Sequence, residues 1–260
     1  MSEIYQLVPS NHLFKPYCYS PLEKGYQQIR LLTLLPGNCP APIHITLHTV
    51  ELNKEQVPKF EALSYTWGST LDPVDIWIVD KAESFVLSIT QNLHVALNSL
   101  RHKSEPRVLW VDSICINQQD LAERSCQVKL MADIYTLTRR VVVWLGPEGE
   151  ESSLALDLLE VLSTNVEVNW LKRTMKPISE EDCHLHWADG SKELPFNPQE
   201  GLAIVNLLKR SWFEVSIIIY LVQITTAKHC TAIVDMAGDM AGKLLSDLNV
   251  WAPNYTLDDI

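Results

Sequence analysis

Two short stretches of this sequence place side chains able to hold a ligand where a strand would end. Ser64, Tyr65, Trp67 and Gly68 close the apolar segment that starts at Phe60, and Asp112, Asn117 and Gln118 follow Val108-Leu109-Trp110-Val111. In open α/β sheets ligands bind in the crevice beyond the carboxyl ends of the strands, and both sets would project there. Asp and Asn in such loops also bond their own backbone, so Asp112 and Asn117 read equally as turn caps and as ligand contacts. Trp67 beside Gly68 offers a stacking face, although a place in the core is the commoner fate of a tryptophan.

Other groups carry less. Cys115 has the chemistry of a nucleophile, but its neighbours Ile114 and Ile116 and the lack of an evident histidine partner favour a buried structural thiol. Glu180-Glu181-Asp182-Cys183-His184-Leu185-His186 crowds metal-capable groups together, yet no second Cys/His cluster completes a zinc set, and no metal is expected. Gly238 to Leu244 imitates a P-loop with three spacer residues where four are required, and Leu244 has no hydroxyl for magnesium. No G-x-S-x-G elbow and no G-x-G-x-x-G turn occurs, and no bound cofactor is expected.

The elements that must position these groups follow from hydrophobic periodicity. Gln28 to Leu35 is a short apolar run stopped by Pro36-Gly37. Ile43, Ile45 and Leu47 alternate with His44, Thr46 and His48, which predicts a half-buried edge strand with both histidines on its solvent face. Phe60 to Tyr65 reads as another strand, and Val74 to Val79 with Phe85 to Ile89 as a strand pair. Thr90 offers an N-cap to a helix carrying Leu93, Ala96, Leu97 and Leu100. Val108 to Val111 and Val141 to Leu145 are continuous apolar runs that suit strands buried on both faces of a parallel sheet. Between them Asp120 and Glu123 predict a capping box. The helix they open carries Leu121, Val128, Met131 and Tyr135 as its apolar stripe, widened by Leu130 and Ile134. Further helices are predicted over Ser152 to Leu162 and Gln199 to Lys209. The alternation predicts an α/β fold, a mostly parallel sheet flanked by helices, with an added N-terminal β segment.

Composition narrows the function classes. The 32 acidic and 21 basic side chains leave a formal charge of −11, with no net positive field to bind a phosphate backbone, so nucleic acid is not an expected partner. The 47% of hydrophobic residues is globular composition. The most apolar segment, Val215 to Val222, is about half the length of a membrane span. Met1 to Ser20 has no basic start followed by an apolar stretch, and the six cysteines form no C-x-x-C pair. Reduced thiols in a cytoplasmic protein are the expectation.

Several motifs taken in order carry a family resemblance. Ala62-Leu-Ser-Tyr-Thr-Trp-Gly68, Ile89-Thr-Gln-Asn-Leu93 and Leu109-Trp-Val-Asp-Ser-Ile-Cys-Ile-Asn-Gln118 resemble the fungal heterokaryon-incompatibility (HET) domain. So do Glu123-Arg124, Gln127-Val128, Met131, Ile134-Tyr135 and Val143-Trp144-Leu-Gly146, preceded by Ile29-Arg-Leu-Leu32 and Pro36-Gly37. The similarity spans about residues 26 to 148, includes Cys115, and resumes at Ser211-Trp212-Phe213. It implies a role in fungal non-self recognition and regulated cell death, with self-association or other incompatibility proteins as partners. HET domains are in turn similar to TIR domains, which implies a flavodoxin-like α/β core and, in some members, cleavage of NAD as a substrate. By that analogy the strand-end residues would face a nucleotide, and a glutamate after the Trp-Phe motif would stabilise the charge developing on the ribose as nicotinamide leaves.

The chain departs from the family pattern after Trp212-Phe213. Aligned on Gln223, Ile224 takes the place of the family glutamate, and Glu214 is the nearest remaining carboxylate candidate. The expected organisation is an extended lead-in over 1–25, a HET domain over 26–225 with a surface insertion at 163–198, and a shortened tail over 226–260. Three functional readings follow. The first is a signalling module without catalysis. The second is an NAD glycohydrolase using the strand-end crevice, and the third is a degenerate fragment.

Overall fold

Strand β1 (Gln28–Leu34) is buried along nearly its whole length and lies between β2 (His44–Glu51) and β6 (Arg107–Trp110), both antiparallel. In this computed structural model the described residues are 15–23, 27–81, 83–149, 151–169, 174–178 and 196–213. The chain divides into two compact units, Met1–Trp144 and Leu145–Ile260.

The first unit is built on a seven-stranded sheet in the order β5-β4-β2-β1-β6-β3-β7. β4 (Val74–Asp80) and β5 (Glu83–Ile89) form the anticipated antiparallel pair, and β4 joins β2 in parallel. β3 (Glu61–Tyr65) lies parallel to both β6 and β7 (Arg140–Trp144), so three strand ends point the same way. The α/β class and the N-terminal β segment are as the sequence predicts, in a mixed sheet whose parallel part carries the candidate site. β2 is not an edge strand: His44 pairs with Trp77 of β4 and is half-buried, while His48 is exposed. β7 is half-buried rather than enclosed on both faces.

Helix α1 (Gln91–Leu100) starts where Thr90 accepts the Leu93 N–H, and buries Leu93, Ala96 and Leu97. The four-residue helix α2 (Asp112–Cys115) follows β6 directly. Helix α3 (Leu121–Leu137) begins as predicted at Asp120, whose carboxylate accepts the N–H groups of Ala122 and Glu123. The second half of the predicted capping box does not form, because the Glu123 carboxylate turns inward to Arg30. The predicted stripe is rotated for the same reason. Gln127 and Ile134 face the core, with Leu130, Met131 and Tyr135 against it, while Leu121 is 64% and Val128 54% exposed.

Glu61 ties the parallel strands together at their amino ends, accepting from Arg107 Nε of β6 and Arg140 Nε of β7, both at 2.5 Å. Burial pushes its carboxyl up, but the hydrogen bonds and charges of the two guanidinium groups outweigh that and hold it below its usual value of 4.5. A carboxyl lowered in the folded state contributes stability above its ordinary value and loses it as pH falls through the folded one. The unfolding free energies of wild type and Glu61→Gln should therefore converge as pH drops below about 4 in urea titrations. A constant gap down to pH 3 would mean that the pairs contribute nothing.

Residues 15–20 run along the edge of this sheet. Tyr17 N–H donates to Val86 O at 2.9 Å and Val86 N–H to Lys15 O at 3.0 Å, which gives the outer side of β5 a backbone partner. That occupies donors and acceptors an open edge strand would expose.

In the second unit α4 (Ser152–Asn165) packs on α5 (Pro198–Leu208), with a hairpin of β8 (Val166–Asn169) and β9 (Thr174–Pro177) after α4. Asn197 and Glu200 form a complete capping box at the start of α5. Arg210 Nη1 donates to Leu145 O at 3.1 Å and Nη2 to Ser152 Oγ at 2.7 Å, fixing the ends of this unit's helices. Trp212 and Phe213 are buried edge to face, with ring centroids 5.1 Å apart. Among the described residues no helix is long and apolar enough to cross a membrane.

Candidate functional site

The carboxyl ends of β3 and β6 bring the two predicted sets together. Tyr65 is the last residue of β3, and its hydroxyl lies 2.6 Å from Ser113 Oγ at the start of α2. Two residues on, Trp67 Nε1 donates to Asp112 Oδ2 at 2.9 Å, while Asp112 Oδ1 accepts the Ser113 N–H at 2.7 Å. Both ends of the Asp112 carboxylate are thus engaged, one as a local cap and one across to the neighbouring strand end. Burial raises the Asp112 carboxyl above its usual range, against the lowering effect of the Trp67, Ser113 and Tyr65 hydrogen bonds. The Tyr65 phenol is raised well above its usual value, by burial first and by the Asp112 charge second. Trp67 remains 42% exposed, an indole face anchored through its nitrogen.

Gly68 completes that turn at φ +74°, a conformation costly to any residue with a Cβ. A Cβ there would also stand 3.1 Å from the Cβ of Asn92. Asn92 is the residue the strand-end reasoning missed. Its Nδ2 donates to Thr66 O at 2.6 Å, and its Oδ1 accepts from Trp144 Nε1 at 3.2 Å. One amide in the first turn of α1 therefore clamps the loop after β3 to the end of β7. The only signal was its place in the Ile89 to Leu93 motif, where an asparagine near a helix start passes for a cap.

The remaining predicted residues serve the loop itself. Asn117 Oδ1 accepts the Gln119 N–H at 3.2 Å, and Gln118 Nε2 donates to Asp112 O at 2.9 Å. Ser64 is buried on β3. Cys115 is fully buried, and burial pushes its thiol up to about 12, leaving it a neutral thiol at neutral pH. Its Sγ accepts the Val111 N–H at 3.3 Å, which holds the β6–α2 corner.

Beneath the site lies Arg30 of β1, which the sequence shows only as part of the upstream motif. Its guanidinium makes a two-pronged pair with Glu123 at 2.5 and 2.9 Å and donates to the carbonyls of Cys115 and Ser20. Tyr19 stacks on it at 5.0 Å and donates its hydroxyl to Ile114 O at 2.8 Å. Glu123 Oε1 also accepts the Asn117 N–H at 2.7 Å. Gln127 Nε2 donates to Gln28 O at 2.8 Å, and Tyr135 donates to Leu63 O at 3.3 Å. Arg124 stands on the exposed side of α3. The family-motif residues of α3 thus divide between holding the sheet and facing solvent.

The motif order has a decisive counterpart in comparison with known proteins. A family model described as heterokaryon incompatibility protein (HET) matches residues 60–214, more than half of the chain. The chain belongs to the HET family. It is also similar to heterokaryon incompatibility protein 6, OR allele, of Neurospora crassa, 38% identical over 162 residues. That match covers 58% of this chain and 23% of the relative, so the chain corresponds to about a quarter of the curated protein's length. No solved structure matches it significantly. The HET match takes in both strand-end sets and stops at Glu214, where the sequence leaves the family pattern. Glu214, Ile224, the acidic cluster at 180–186 and the segment 238–244 lie outside the described residues. Among the described residues no three His, Cys, Asp or Glu side chains gather closely enough to hold a metal ion.

Proposed function

We propose that this chain is an incompatibility-type signalling domain of a fungal non-self recognition system, acting in regulated cell death through association with copies of itself or with other incompatibility proteins. The HET match over 60–214 carries this reading, and the similarity to a Neurospora incompatibility protein agrees with it. The chemistry of the strand ends supports a module rather than a catalyst. The Asp112 carboxylate is spent on Trp67 and Ser113, the Asn92 amide on Thr66 and Trp144, and the Tyr65 hydroxyl on Ser113. A cytoplasmic location is part of the same proposal.

One observation favours a second reading, the TIR-like cleavage of the nicotinamide–ribose bond of NAD. The exposed indole of Trp67 sits at the carboxyl ends of parallel strands, where α/β folds bind nucleotides, and presents a flat face for a heteroaromatic ring. The two readings separate in one experiment: nicotinamide release from NAD by concentrated wild type, beside an Ile224→Glu variant. The signalling reading expects no release by wild type and concentration-dependent self-association of the same sample. Release by wild type would overturn it in favour of the enzyme. Release by the variant alone would identify a pseudoenzyme with the site preserved.

A further inference from the structure

The sheet of the first unit ends at β5, and the middle of β5 has the same character read in either direction. Ser84-Phe85-Val86-Leu87-Ser88 places a serine at each end and an apolar side chain on each side of Val86. The stretch is uncharged, in a chain of net charge −11. Val86 turns its backbone outward: its C=O accepts the Tyr17 N–H at 2.9 Å, and its N–H donates to Lys15 O at 3.0 Å. Residues two apart on a strand aim their backbone groups the same way, so Ser84 and Ser88 face outward as well. Both serines are exposed, and among the described residues neither has a backbone partner on that side.

Residues 15–20 form a strap that covers only the centre of this edge. Pro16 makes a single parallel bridge to Val86. The Tyr17 ring packs edge-on to Phe85 at 6.1 Å and to Tyr19 at 5.0 Å. From there the strap leaves β5, with Tyr19 lying over Arg30 and Ser20 O accepting from the same guanidinium. Its hold on the edge is therefore two backbone hydrogen bonds and one ring.

We propose that the outer edge of β5 is a two-fold interface for β5 of a second copy of this chain, and that the strap withholds it. Antiparallel pairing about Val86 sets Ser84 against the partner's Ser88 and Phe85 against the partner's Leu87. The three outward residues then exchange N–H and C=O with their opposite numbers, as the closely spaced pairs of an antiparallel ladder do. Phe85 and Leu87 share one face, so the apolar side of the sheet continues across the axis. Glu83 meets the partner's Ile89, so no two acids oppose each other in two strongly acidic chains. The same patch is used on both copies, and such a contact closes at a dimer. Because the strap holds Val86, the residue on the axis, strap and second copy exclude one another. The proposal rests on the self-association reading above and names both its surface and its restraint.

The test is sedimentation velocity on the full chain over a concentration series, with Tyr17→Ala, Ser84→Pro and the two combined. Tyr17→Ala gives up the ring contacts of the strap and should tighten dimer formation by about tenfold. The Val86 amide of the dilute variant should also exchange its hydrogen faster than in wild type. Ser84→Pro removes a donor that faces solvent in one copy, which an edge strand tolerates, and should abolish the dimer in either background. Ser84→Lys, a charge on the edge, is the milder block if circular dichroism shows that the proline disturbs the fold. Tyr17→Ala associating no more tightly than wild type, or leaving Val86 exchange unchanged, overturns the strap. A folded edge-blocked variant that associates as wild type does overturns this surface while self-association stands. Growth of wild type beyond a dimer overturns the two-fold pairing. If none of the chains associates at any concentration, the self-association reading falls and this proposal with it.

Discussion

Glu123→Ala should cost about 3–5 kcal/mol of unfolding free energy, enough to leave a domain of ordinary stability barely folded. Arg30 and Glu123 have side chains only 3% and 8% exposed, so neither charge has water to fall back on. Removing the carboxylate leaves a guanidinium buried against the Tyr19 ring and the Cys115 corner, with only two carbonyl acceptors left. It also frees the Asn117 N–H, which Glu123 holds at 2.7 Å, and so loosens the loop carrying Asn117 and Gln118. The charge-free replacement distinguishes cause from packing. With Arg30→Met and Glu123→Leu together, no orphan charge remains, and replacements of this kind recover most of the loss in other buried pairs. Urea unfolding of the single and double variants is the measurement. A single variant within about 1 kcal/mol of wild type would show that the pair is solvated in solution. A double variant as unstable as the single would shift the explanation to the lost hydrogen bonds to Cys115, Ser20 and Asn117.

The same pair explains where sequence reasoning succeeds and where it fails. β3, β6, α1 and α4 are legible because their cores are apolar, and apolar periodicity is what the eye can count. The orientation of α3 is not, because two of its inward residues, Glu123 and Gln127, are polar. Their burial is compensated by Arg30 and the Gln28 carbonyl, 93 and 99 residues away in sequence, which no local pattern contains. Asn92 was hidden in the same way, by partners 26 and 52 residues distant. The pairing of Trp67 with Asp112 was half legible: the expectation that adjacent strand ends meet placed them together, but not as partners of one another. His44 looked solvent-facing because alternation reports which face of a sheet a residue takes, not how many neighbours its strand has.

Trp110→Ala should be comparably damaging, at about 3–5 kcal/mol, while Trp110→Phe should cost far less than the lost volume suggests. Trp110 is fully buried at the end of β6, beside Ala62 of β3, with its ring edge-on to Tyr135 at 5.8 Å. Truncation to alanine removes that ring contact and opens a cavity at the end of β6, two residues before α2, where Asp112 and Ser113 hold Trp67 and Tyr65. Phenylalanine keeps a ring against Tyr135 and removes a liability, since the Trp110 Nε1 donor is buried without a hydrogen-bond partner among the described residues. A buried unsatisfied donor costs roughly 1–3 kcal/mol, which offsets much of the packing lost by shrinking the ring. The net change for phenylalanine should then stay within about 1.5 kcal/mol of wild type in urea unfolding. Hydrogen exchange adds a local readout: the Cys115 amide, bonded to Val111 O at 2.7 Å, should exchange faster in the alanine variant and nearly unchanged in the phenylalanine one. A phenylalanine variant that loses clearly more than about 1.5 kcal/mol would mean that packing alone decides at this position and that the orphaned donor costs nothing. Equal exchange at Cys115 in both would mean that the corner carrying Asp112 is held from the Arg30 and Tyr19 side, independently of what lies behind it.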